Sequence, residues 1–402
     1  MDKLRVLFVD DEPHILQGLR RSLSALDDRW DMTFCQSGAE ALELMAGQPA
    51  FDAVVSDMRM PQMDGAEFLG NVRQRQPDAI RVILSGYADK DAILRTIGPA
   101  HVYLAKPCGT EALHAAVTYP LSLRHLLSPP SLRAILAGLS NLPSLPDLVV
   151  KLDTELRSTT CSAKVIAALI DQDVAMTAEL LRLTNSSYFS VAGPVTSTLQ
   201  AVRTIGIETI QVLVLQIGIF RQFAGGAVEA PVLEALTAHS LAIASLAEAI
   251  AVSMDADQPT AMAAHCAAML SMIGILVLLD AYPERYGEML SMMGTDLPLK
   301  AMEMETFGAN HAMIGAYLLG LWGFTIPLIE AVAYGDSPAA CPRNDSLVLT
   351  AVHAAMALGP PLIFAGAENV TILDMAYLIE ARKDGLLPLW RKLAAKHSRE
   401  AA

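Results

Sequence analysis

Hydrophobic and polar positions follow two different periods along the chain. In the first ~120 residues, short apolar runs alternate with amphipathic stretches of helical period, as in a parallel α/β sheet. Helical stretches such as 14–26 and 65–75 separate the apolar runs. The predicted strands are residues 5–9, 32–36, 53–56, 81–84 and 102–105. We therefore predict a doubly wound, five-stranded parallel sheet in this part of the chain.

Polar side chains follow four of these strands at the point where each strand ends. Asp10 and Asp11 come after the first strand, Asp57 after the third, Ser85 after the fourth and Lys106 after the fifth. Carboxyl ends of parallel strands meet at one edge, so these side chains should converge. Three adjacent carboxylates need a divalent cation, and their hard oxygens suit Mg²⁺. A carboxylate beside Mg²⁺ and a lysine is an activated nucleophile for phosphoryl transfer.

Four motifs in this region occur in a recognisable order and spacing. They are VDDEP (9–13), SDMRMPQMDG (56–65), LSGYAD (84–89) and YLAKP (103–107). On these motifs, residues 4–118 resemble the receiver domain of a two-component response regulator, and we assign residues 1–118 to this domain. The resemblance implies a flavodoxin-like fold and a partner that donates the phosphoryl group, either a histidine kinase or a phosphotransfer protein.

The resemblance also implies a role for each acidic residue. Asp57 is expected to be the phospho-acceptor. Asp10 and Asp11 are expected to hold Mg²⁺ together with Asp57, and the backbone carbonyl of Arg59 is expected to complete the protein ligands of the metal.

The resemblance implies roles for three further residues. Ser85 would hydrogen-bond an oxygen of the incoming phosphoryl group, and Lys106 would form an ion pair with the same group. Tyr103 would be the aromatic switch that turns inward when Ser85 moves. The resemblance implies a cis peptide bond between Lys106 and Pro107. Cys108 follows this pair, and we interpret its thiol as a half-buried bystander, the alternative being a redox-sensitive group.

Residues 119–130 contain three prolines and break the alternating pattern. We interpret them as an interrupted extension of the last receiver helix followed by a linker, with Pro129-Pro130 at the boundary. From residue 131 onwards the pattern is helical, and no strand-like alternation is convincing. The helical runs are 161–170, 175–183, 207–223, 232–254, 260–279, 311–321 and 346–358. We predict an all-α output domain over 131–335 with a C-terminal helical extension over 336–402.

Several phrases in this helical region resemble the HDOD domain, a relative of the HD metal phosphohydrolases. They cover residues 139–152, 170–190, 201–215, 265–278 and 305–332, with Val174 where the family usually has proline. A working HD hydrolase needs adjacent His and Asp as metal ligands, but this chain has Ser271-Met272 at that position. Serine is a poor ligand for a catalytic metal and methionine is too soft for Mg, Mn or Fe. We therefore predict an HD-like fold that is not an enzyme and holds no cofactor.

Other residues offer an alternative site in the helical region. Histidines 239, 265, 311 and 353 and the carboxylates Asp280, Glu303 and Glu305 are spread over several helices. We interpret the histidines as core or surface residues, Asp173 as a helix cap, and Asn185 and Ser186 as ties between helix ends. Two alternative functions stay open, a divergent metal phosphohydrolase and a module that binds a cyclic dinucleotide.

Composition narrows the class of partner. The chain has 43 Asp+Glu against 29 Lys+Arg, a net charge of −14, which argues against binding nucleic acid. Five scattered cysteines indicate reduced thiols in a cytoplasmic protein. Residues 260–279 are long enough to span a bilayer, but we interpret them as a buried helix and predict no membrane insertion. The output domain is expected to bind a downstream signalling protein, and the apolar composition is compatible with a homodimer.

Overall fold

The computed structural model describes residues 3–26, 28–85, 100–126, 136, 143–144, 146–158, 161–185, 195–211, 213–214, 221–222, 229–292, 298–343, 345–364 and 367–400. The N-terminal part contains a five-stranded parallel sheet with the strand order β2-β1-β3-β4-β5. Its elements are β1 (Leu4–Val9), α1 (Pro13–Ser22), β2 (Trp30–Cys35), α2 (Gly38–Gly47), β3 (Ala53–Asp57), α3 (Gly65–Arg75), β4 (Ile80–Ser85), β5 (Val102–Ala105) and α4 (Thr110–Leu126). The predicted doubly wound sheet is confirmed, and each predicted strand matches an observed strand within two residues at either end.

The central strands of the sheet are buried on both faces. Strand β3 and strand β4 are buried at every residue, which explains their unbroken apolar runs. Helices α2 and α3 begin where side chains cap them: the Ser37 hydroxyl accepts from the Glu40 N–H, and the Asp64 carboxylate accepts from the Glu67 N–H. These caps set where each chain segment leaves the functional edge of the sheet.

Helix α4 is longer than the sequence indicates. It runs from Thr110 through Pro120 to Leu126, so the predicted interruption of this helix is wrong. Leu113 and Val117 are buried and hold its first half against the sheet. The predicted linker boundary at Pro129-Pro130 lies outside the described residues, and the domain boundaries stay a prediction.

The C-terminal part is mostly helical. Its helices are α5 (Pro146–Leu156), α6 (Ala163–Ile170), α7 (Val174–Asn185), α8 (Thr198–Ile205), α9 (Ile207–Gln211), α10 (Glu229–Ser253), α11 (Gln258–Leu270), α12 (Ile273–Ala281), α13 (Pro283–Ser291), α14 (Leu299–Phe307), α15 (His311–Leu321), α16 (Ile326–Tyr334), α17 (Leu347–Leu358), α18 (Met375–Glu380) and α19 (Leu387–Glu400). Helices α10, α11 and α17 pack on one another, and α16 packs against α11 and α17. The core of this part therefore lies among helices that are distant in sequence.

Short strands also occur in this part, which the sequence did not indicate. Strand β6 (Pro143–Ser144) pairs in parallel with β7 (Arg221–Gln222), and β8 (Leu362–Phe364) pairs with β9 (Ala367–Asn369) as an antiparallel ribbon. Residues 221 and 222 were predicted to be helical, and that prediction is wrong. Strands of two or three residues are too short to show an alternating pattern.

The apolar stretch 260–279 is not one helix. A turn at Ser271 and Met272 divides it into α11 and α12, so the predicted continuous helix is wrong. Two stretches in the described residues are long and apolar enough to cross a membrane, Val232–Ser253 and Gln258–Ala281. The window in Gln258–Ala281 is 83% buried inside the protein, as expected for core helices.

Candidate functional site

The register of the sheet places the predicted acidic and basic residues at one edge. Val9 pairs with Ser56 across β1 and β3, so Asp10 and Asp57 follow neighbouring positions on adjacent strands. Lys106 follows β5, and its backbone N–H donates to the Ser85 carbonyl at 2.7 Å. Three elements that are far apart in sequence therefore present their polar side chains to the same place.

Lys106 lies between two carboxylates at this edge. Its Nζ donates to Asp10 Oδ2 at 2.7 Å and to Asp57 Oδ1. Asp10 is only 2% exposed and Asp57 only 8%. Burial alone would lower the pKa of Lys106, but its hydrogen bonds to the two carboxylates raise this pKa above the ordinary value. The ammonium group is therefore charged when the site is at neutral pH.

Backbone N–H groups hydrogen-bond the second oxygen of each of these two carboxylates. The Arg59 N–H donates to Asp57 Oδ2 at 2.7 Å, and the Glu12 N–H donates to Asp10 Oδ1 at 3.0 Å. Burial raises the pKa of Asp57, and the neighbouring Asp10 carboxylate adds to this effect while Lys106 opposes it. Among the described residues, the negative charge of these two carboxylates is balanced by the single positive charge of Lys106.

The remaining predicted site residues lie around this centre. Ser85 ends β4 beside Ala105 of β5 and is 5% exposed, and Tyr103 is 4% exposed within the core of the sheet. Asp11 directly follows Asp10 and is partly exposed. The Lys106-Pro107 peptide bond is cis, as the resemblance implies. Residues 86–89 of the LSGYAD motif lie outside the described residues.

The donor set at this edge fits a hard divalent cation. Asp10 and Asp11 follow β1 and Asp57 ends the adjacent β3, so three carboxylates belong to neighbouring strand ends, and among the described residues Lys106 contacts two of them. Oxygen ligands of this kind suit Mg²⁺ better than any softer metal. Cys108 is not a competing ligand of note, because burial raises the pKa of its thiol and keeps it protonated at neutral pH.

In the helical part, Ser271 and Met272 form the turn between α11 and α12. Ser271 is 3% exposed, and its hydroxyl donates to the Ala268 carbonyl at 2.8 Å. Met272 is buried as well. The residues at the position expected for a metal pair in HD hydrolases therefore close a helix and fill the core.

Glu303 is the centre of a buried hydrogen-bond network in this part. Its side chain is fully buried and accepts from the Tyr286 hydroxyl at 2.7 Å and from the backbone N–H of His311 at 2.8 Å. The His311 ring nitrogen Nδ1 lies 2.6 Å from the same carboxylate. Sequence reasoning missed Tyr286, because it lies on a different helix and no spacing links it to Glu303.

The other histidines have separate environments. His265 Nδ1 lies 3.0 Å from Glu248, and His353 accepts from the Asp374 N–H at 2.9 Å while its Nδ1 contacts the Gly335 carbonyl at 2.8 Å. His239 is buried, and neither ring nitrogen has a hydrogen-bond partner of ordinary geometry among the described residues. Among the described residues of the helical part, no three His, Cys, Asp or Glu side chains are grouped closely enough to hold a metal ion.

The predicted helix cap is present as well. Asp173 is buried, and its carboxylate accepts from the Met176 N–H at 2.8 Å at the start of α7. Asp171 lies two residues earlier, at the end of α6, and accepts from the Thr198 hydroxyl at 2.5 Å, which ties the end of α6 to the start of α8. Asn185 ends α7, whereas Ser186 lies outside the described residues.

Comparisons with known families divide the chain in the same way. Residues 6–118 match the response regulator receiver domain, and residues 142–338 match the HDOD domain. Together the two matches span most of the chain.

Individual relatives match parts of the chain. The hydrogenase transcriptional regulatory protein HoxA of Cupriavidus necator is 38% identical over 98 residues, which is 24% of this chain and 20% of that protein. The chain spans about a fifth to a half of the length of the curated relatives it matches.

Two solved structures are similar to larger shares of the chain. The MmoQ response regulator of Methylococcus capsulatus is 25% identical, with 62% of this chain and 98% of that chain covered and a TM-score of 0.47. A virulence factor of Campylobacter jejuni is 22% identical, with 66% of this chain and 96% of that chain covered and a TM-score of 0.50. The latter shows a shared fold.

Proposed function

Because this chain belongs to the two-component response regulators, with a receiver domain followed by an HDOD domain, we propose that Asp57 accepts a phosphoryl group from a histidine kinase or phosphotransfer protein. One observation carries the proposal. The ammonium group of Lys106 joins the buried carboxylates of Asp10 and Asp57 at the carboxyl edge of the sheet. A cation and a fixed carboxylate at one point are what acceptance of a phosphoryl group requires.

The proposed reaction uses each group at this edge. An oxygen of Asp57 attacks the phosphorus of a phosphohistidine, and the P–N bond breaks with its electron pair going to the ring nitrogen. The imidazole leaves as a neutral base because its other ring nitrogen already carries a proton. Lys106 is within reach of the transferred group and pairs with its negative charge. Ser85 supplies a hydroxyl to a phosphoryl oxygen. Asp10, Asp11, Asp57 and the Arg59 carbonyl would hold Mg²⁺, which supplies positive charge to the phosphoryl oxygens.

The response of the sheet follows from the contacts that change. Lys106 must exchange part of its bonding to Asp10 for bonding to the phosphoryl group, which alters the end of β5. Ser85 and Tyr103 lie on the two strands at this end and are both buried. We expect their positions to bias the surface of the receiver towards one of two forms, which then controls the helical domain.

We infer that the HDOD domain acts by binding a downstream signalling protein rather than by catalysis, and that the protein works in the cytoplasm. This inference is supported by the contacts of Ser271 and Met272. The Ser271 hydroxyl donates a hydrogen bond to the Ala268 carbonyl, and the Met272 side chain is buried at the turn. Both side chains thus have structural tasks at the position where a hydrolase would need metal ligands.

Labelling with acetyl phosphate tests the first half of the proposal. The full-length protein with Mg²⁺ should take up one phosphoryl group, and the Asp57→Ala variant should take up none. Asp31→Asn, an exposed aspartate of β2, is the matched control and should label normally. Stoichiometric labelling of Asp57→Ala would refute the assignment of the acceptor.

Capture of partners tests the second half. The full-length protein is incubated with lysate of the source cells, with Mg²⁺ and with or without beryllofluoride, which imitates the phosphoryl group. If the wild type captures a protein either only with or only without beryllofluoride, the result supports output by protein binding. The Asp57→Ala variant should then capture that protein equally under both conditions. Turnover of a phosphodiester or cyclic dinucleotide by the purified full-length protein would contradict it.

A further inference from the structure

His353 of α17 is fully buried, and both of its ring nitrogens are hydrogen-bonded to backbone groups. Nδ1 lies 2.8 Å from the Gly335 carbonyl oxygen, and Nε2 lies 2.9 Å from the Asp374 backbone nitrogen. A carbonyl can only accept a hydrogen bond, and a backbone N–H can only donate one. Nδ1 therefore carries the ring proton and Nε2 is an unprotonated acceptor, so the two contacts together require the uncharged ring.

The contact with Asp374 holds the start of α18 against α17. Asp374 directly precedes α18, and its carboxylate caps this helix by accepting from the Tyr377 N–H at 3.0 Å. Tyr377 and Leu378 are the buried residues of α18, and the Tyr377 hydroxyl lies 2.7 Å from Thr350 Oγ1 of α17. A helix of six residues is too short to be stable alone, so the position of α18 depends on its contacts with α17.

A second proton on the His353 ring is incompatible with this arrangement. The proton would bind the lone pair of Nε2, which accepts from the Asp374 N–H in the uncharged form. Two N–H groups would then face each other, so this hydrogen bond would be lost and the Asp374 N–H would be left without its acceptor. The bond from Nδ1 to the Gly335 carbonyl would remain, because the charged ring keeps that proton. Protonation thus separates the ring from α18 but not from Gly335.

The groups around the ring determine the pH at which it takes up this proton. Burial lowers the pKa of His353, whereas the Gly335 carbonyl and the carboxylates of Asp374 and Asp336 raise it. Burial outweighs the other groups, so the pKa lies below its ordinary value of 6.5. The ring is therefore uncharged at neutral pH and becomes charged only in the acidic range.

Of the two carboxylates, Asp374 is the better placed to stabilise a charged ring. Lys300 donates to Asp336 and compensates part of its charge, whereas Asp374 has no cation partner among the described residues. Tyr377 meets the His353 ring edge-on, with the ring centroids 6.0 Å apart. Burial raises the pKa of the Tyr377 hydroxyl, so this group stays uncharged over the same range.

We propose that His353 is a pH-sensitive contact of the C-terminal extension: the uncharged ring holds the start of α18 on α17, and a proton taken up from solvent releases it. In the released form the new Nε2–H donates to the Asp374 carboxylate. That carboxylate then leaves the Tyr377 N–H, so α18 loses its cap as well. The contact lies beyond residues 142–338, which match the HDOD domain, and it does not involve Asp57.

Hydrogen exchange of the full-length protein between about pH 7.5 and about pH 5.5 tests the proposal. After correction for intrinsic exchange rates, protection of residues 374–383 should fall by up to about tenfold for each pH unit below 6.5, because opening then takes up one proton. Residues 258–270 of α11 are the internal reference, since exchange there reports unfolding of the core. An equal fall in both segments would overturn the proposal, because it would reflect loss of the whole fold.

A variant that cannot titrate isolates the ring. The amide oxygen of His353→Gln can accept from the Asp374 N–H but takes up no proton, so protection of residues 374–383 should become independent of pH over this range. His397→Gln, at a half-buried position of α19, is the matched control and should keep the wild-type profile. Equal pH profiles for the wild type and His353→Gln would overturn the proposal.

Asp374→Asn provides a second measurement that keeps the backbone N–H and a side chain able to cap α18. It removes the charge that stabilises the protonated ring, so the loss of protection should move to lower pH. Asp384→Asn, which removes an exposed carboxylate after α18, should leave the profile in place. An unshifted profile for Asp374→Asn would also overturn the proposal. Asp57→Ala should behave like the wild type, so failure of the phosphorylation proposal would not affect this result.

Discussion

The Cβ atom that Gly65 lacks would lie 2.2 Å from the backbone carbonyl oxygen of Asp57. Gly65 is the first residue of α3, and its N–H donates to the Met58 carbonyl at 2.9 Å. The helix that follows β3 therefore comes into close contact with the backbone of Asp57, the proposed acceptor. No side chain fits between them, and any replacement must displace either the end of β3 or the start of α3.

We expect Gly65→Ala to impair the site more than it impairs the fold. Displacing the Asp57 backbone by a few tenths of an ångström or more would misplace its carboxylate relative to Lys106, so labelling by acetyl phosphate should fall by ~10²-fold. Mg²⁺ affinity, measured by calorimetry, should fall as well. Gly70→Ala is the matched control, because a Cβ at Gly70 of the same helix would meet nothing within 4 Å. Equal labelling by the two variants would show that the close approach is unimportant.

The buried network around Glu303 should be a major source of stability in the helical domain. Glu303→Leu removes the acceptor of the Tyr286 hydroxyl and of the His311 N–H, and leaving these groups unsatisfied should cost about 3–5 kcal/mol. Urea unfolding followed by tryptophan fluorescence measures the loss. Glu305→Gln changes an exposed carboxylate two residues away and should stay within about 0.5 kcal/mol of the wild type. A loss below about 1 kcal/mol for Glu303→Leu would contradict a buried network of this kind.

Because of His239, the free energy of unfolding should decrease as the pH falls from about 6.5 to about 4. The pKa of His239 in the folded protein is lowered to about 4, mainly by burial. The nearby Pro360 carbonyl raises this pKa, and His311 contributes to lowering it. The unfolded chain titrates near pH 6.5, so it binds a proton that the folded protein excludes. The contribution of His239 is therefore complete above pH 6.5 and is lost progressively down to about pH 4, by roughly 3 kcal/mol in total.

Comparison with a variant that cannot titrate isolates this effect. His239→Gln should flatten the profile of unfolding free energy against pH between about 6.5 and 4, whatever its effect at pH 7.5. His397→Gln, on the partly exposed face of α19, serves as the control and should leave the slope unchanged. Parallel profiles for the wild type and His239→Gln would contradict the shifted pKa.

The C-terminal helix should be an integral part of the helical domain. Trp390 of α19 is fully buried, and its Nε1–H donates to the Ser253 hydroxyl of α10 at 2.9 Å. Trp390→Ala should cost about 3–5 kcal/mol and increase proteolysis of the last helix. Lys392→Ala changes an exposed residue of the same helix and should be nearly neutral. Unchanged stability of Trp390→Ala would mean that the extension folds apart from the core.

The sequence predicted the receiver better than the helical domain for a physical reason. Strand ends at Asp10 and Asp57 are marked by charges that follow apolar runs, and a parallel sheet brings such ends together. The register of the sheet bears this out. The roles of these residues in phosphoryl transfer are still predictions.

The helical domain gave weaker signals because its contacts join distant helices. The turn at Ser271 interrupts an apolar stretch without any glycine or proline at the break, so periodicity alone predicted one helix. The bond from Tyr286 to Glu303 crosses between helices and leaves no trace in the spacing of residues. The close approach of Gly65 to Asp57 was equally hidden, since a glycine in a motif does not reveal which atom it faces.

Helix α4 is continuous, so a tilt at its first turn moves its far end by a larger distance. Its 17 residues form a rod about 25 Å long, and it begins only four residues after Lys106. A tilt of about 5° at the anchored end therefore carries the far end through about 2 Å. Pro120 has no backbone N–H, so α4 lacks one internal hydrogen bond near its middle. We expect the helix to bend most easily at this point. On the proposal that Asp57 is phosphorylated, a sub-ångström adjustment at this edge of the sheet would become a displacement of ångströms at the far end of α4.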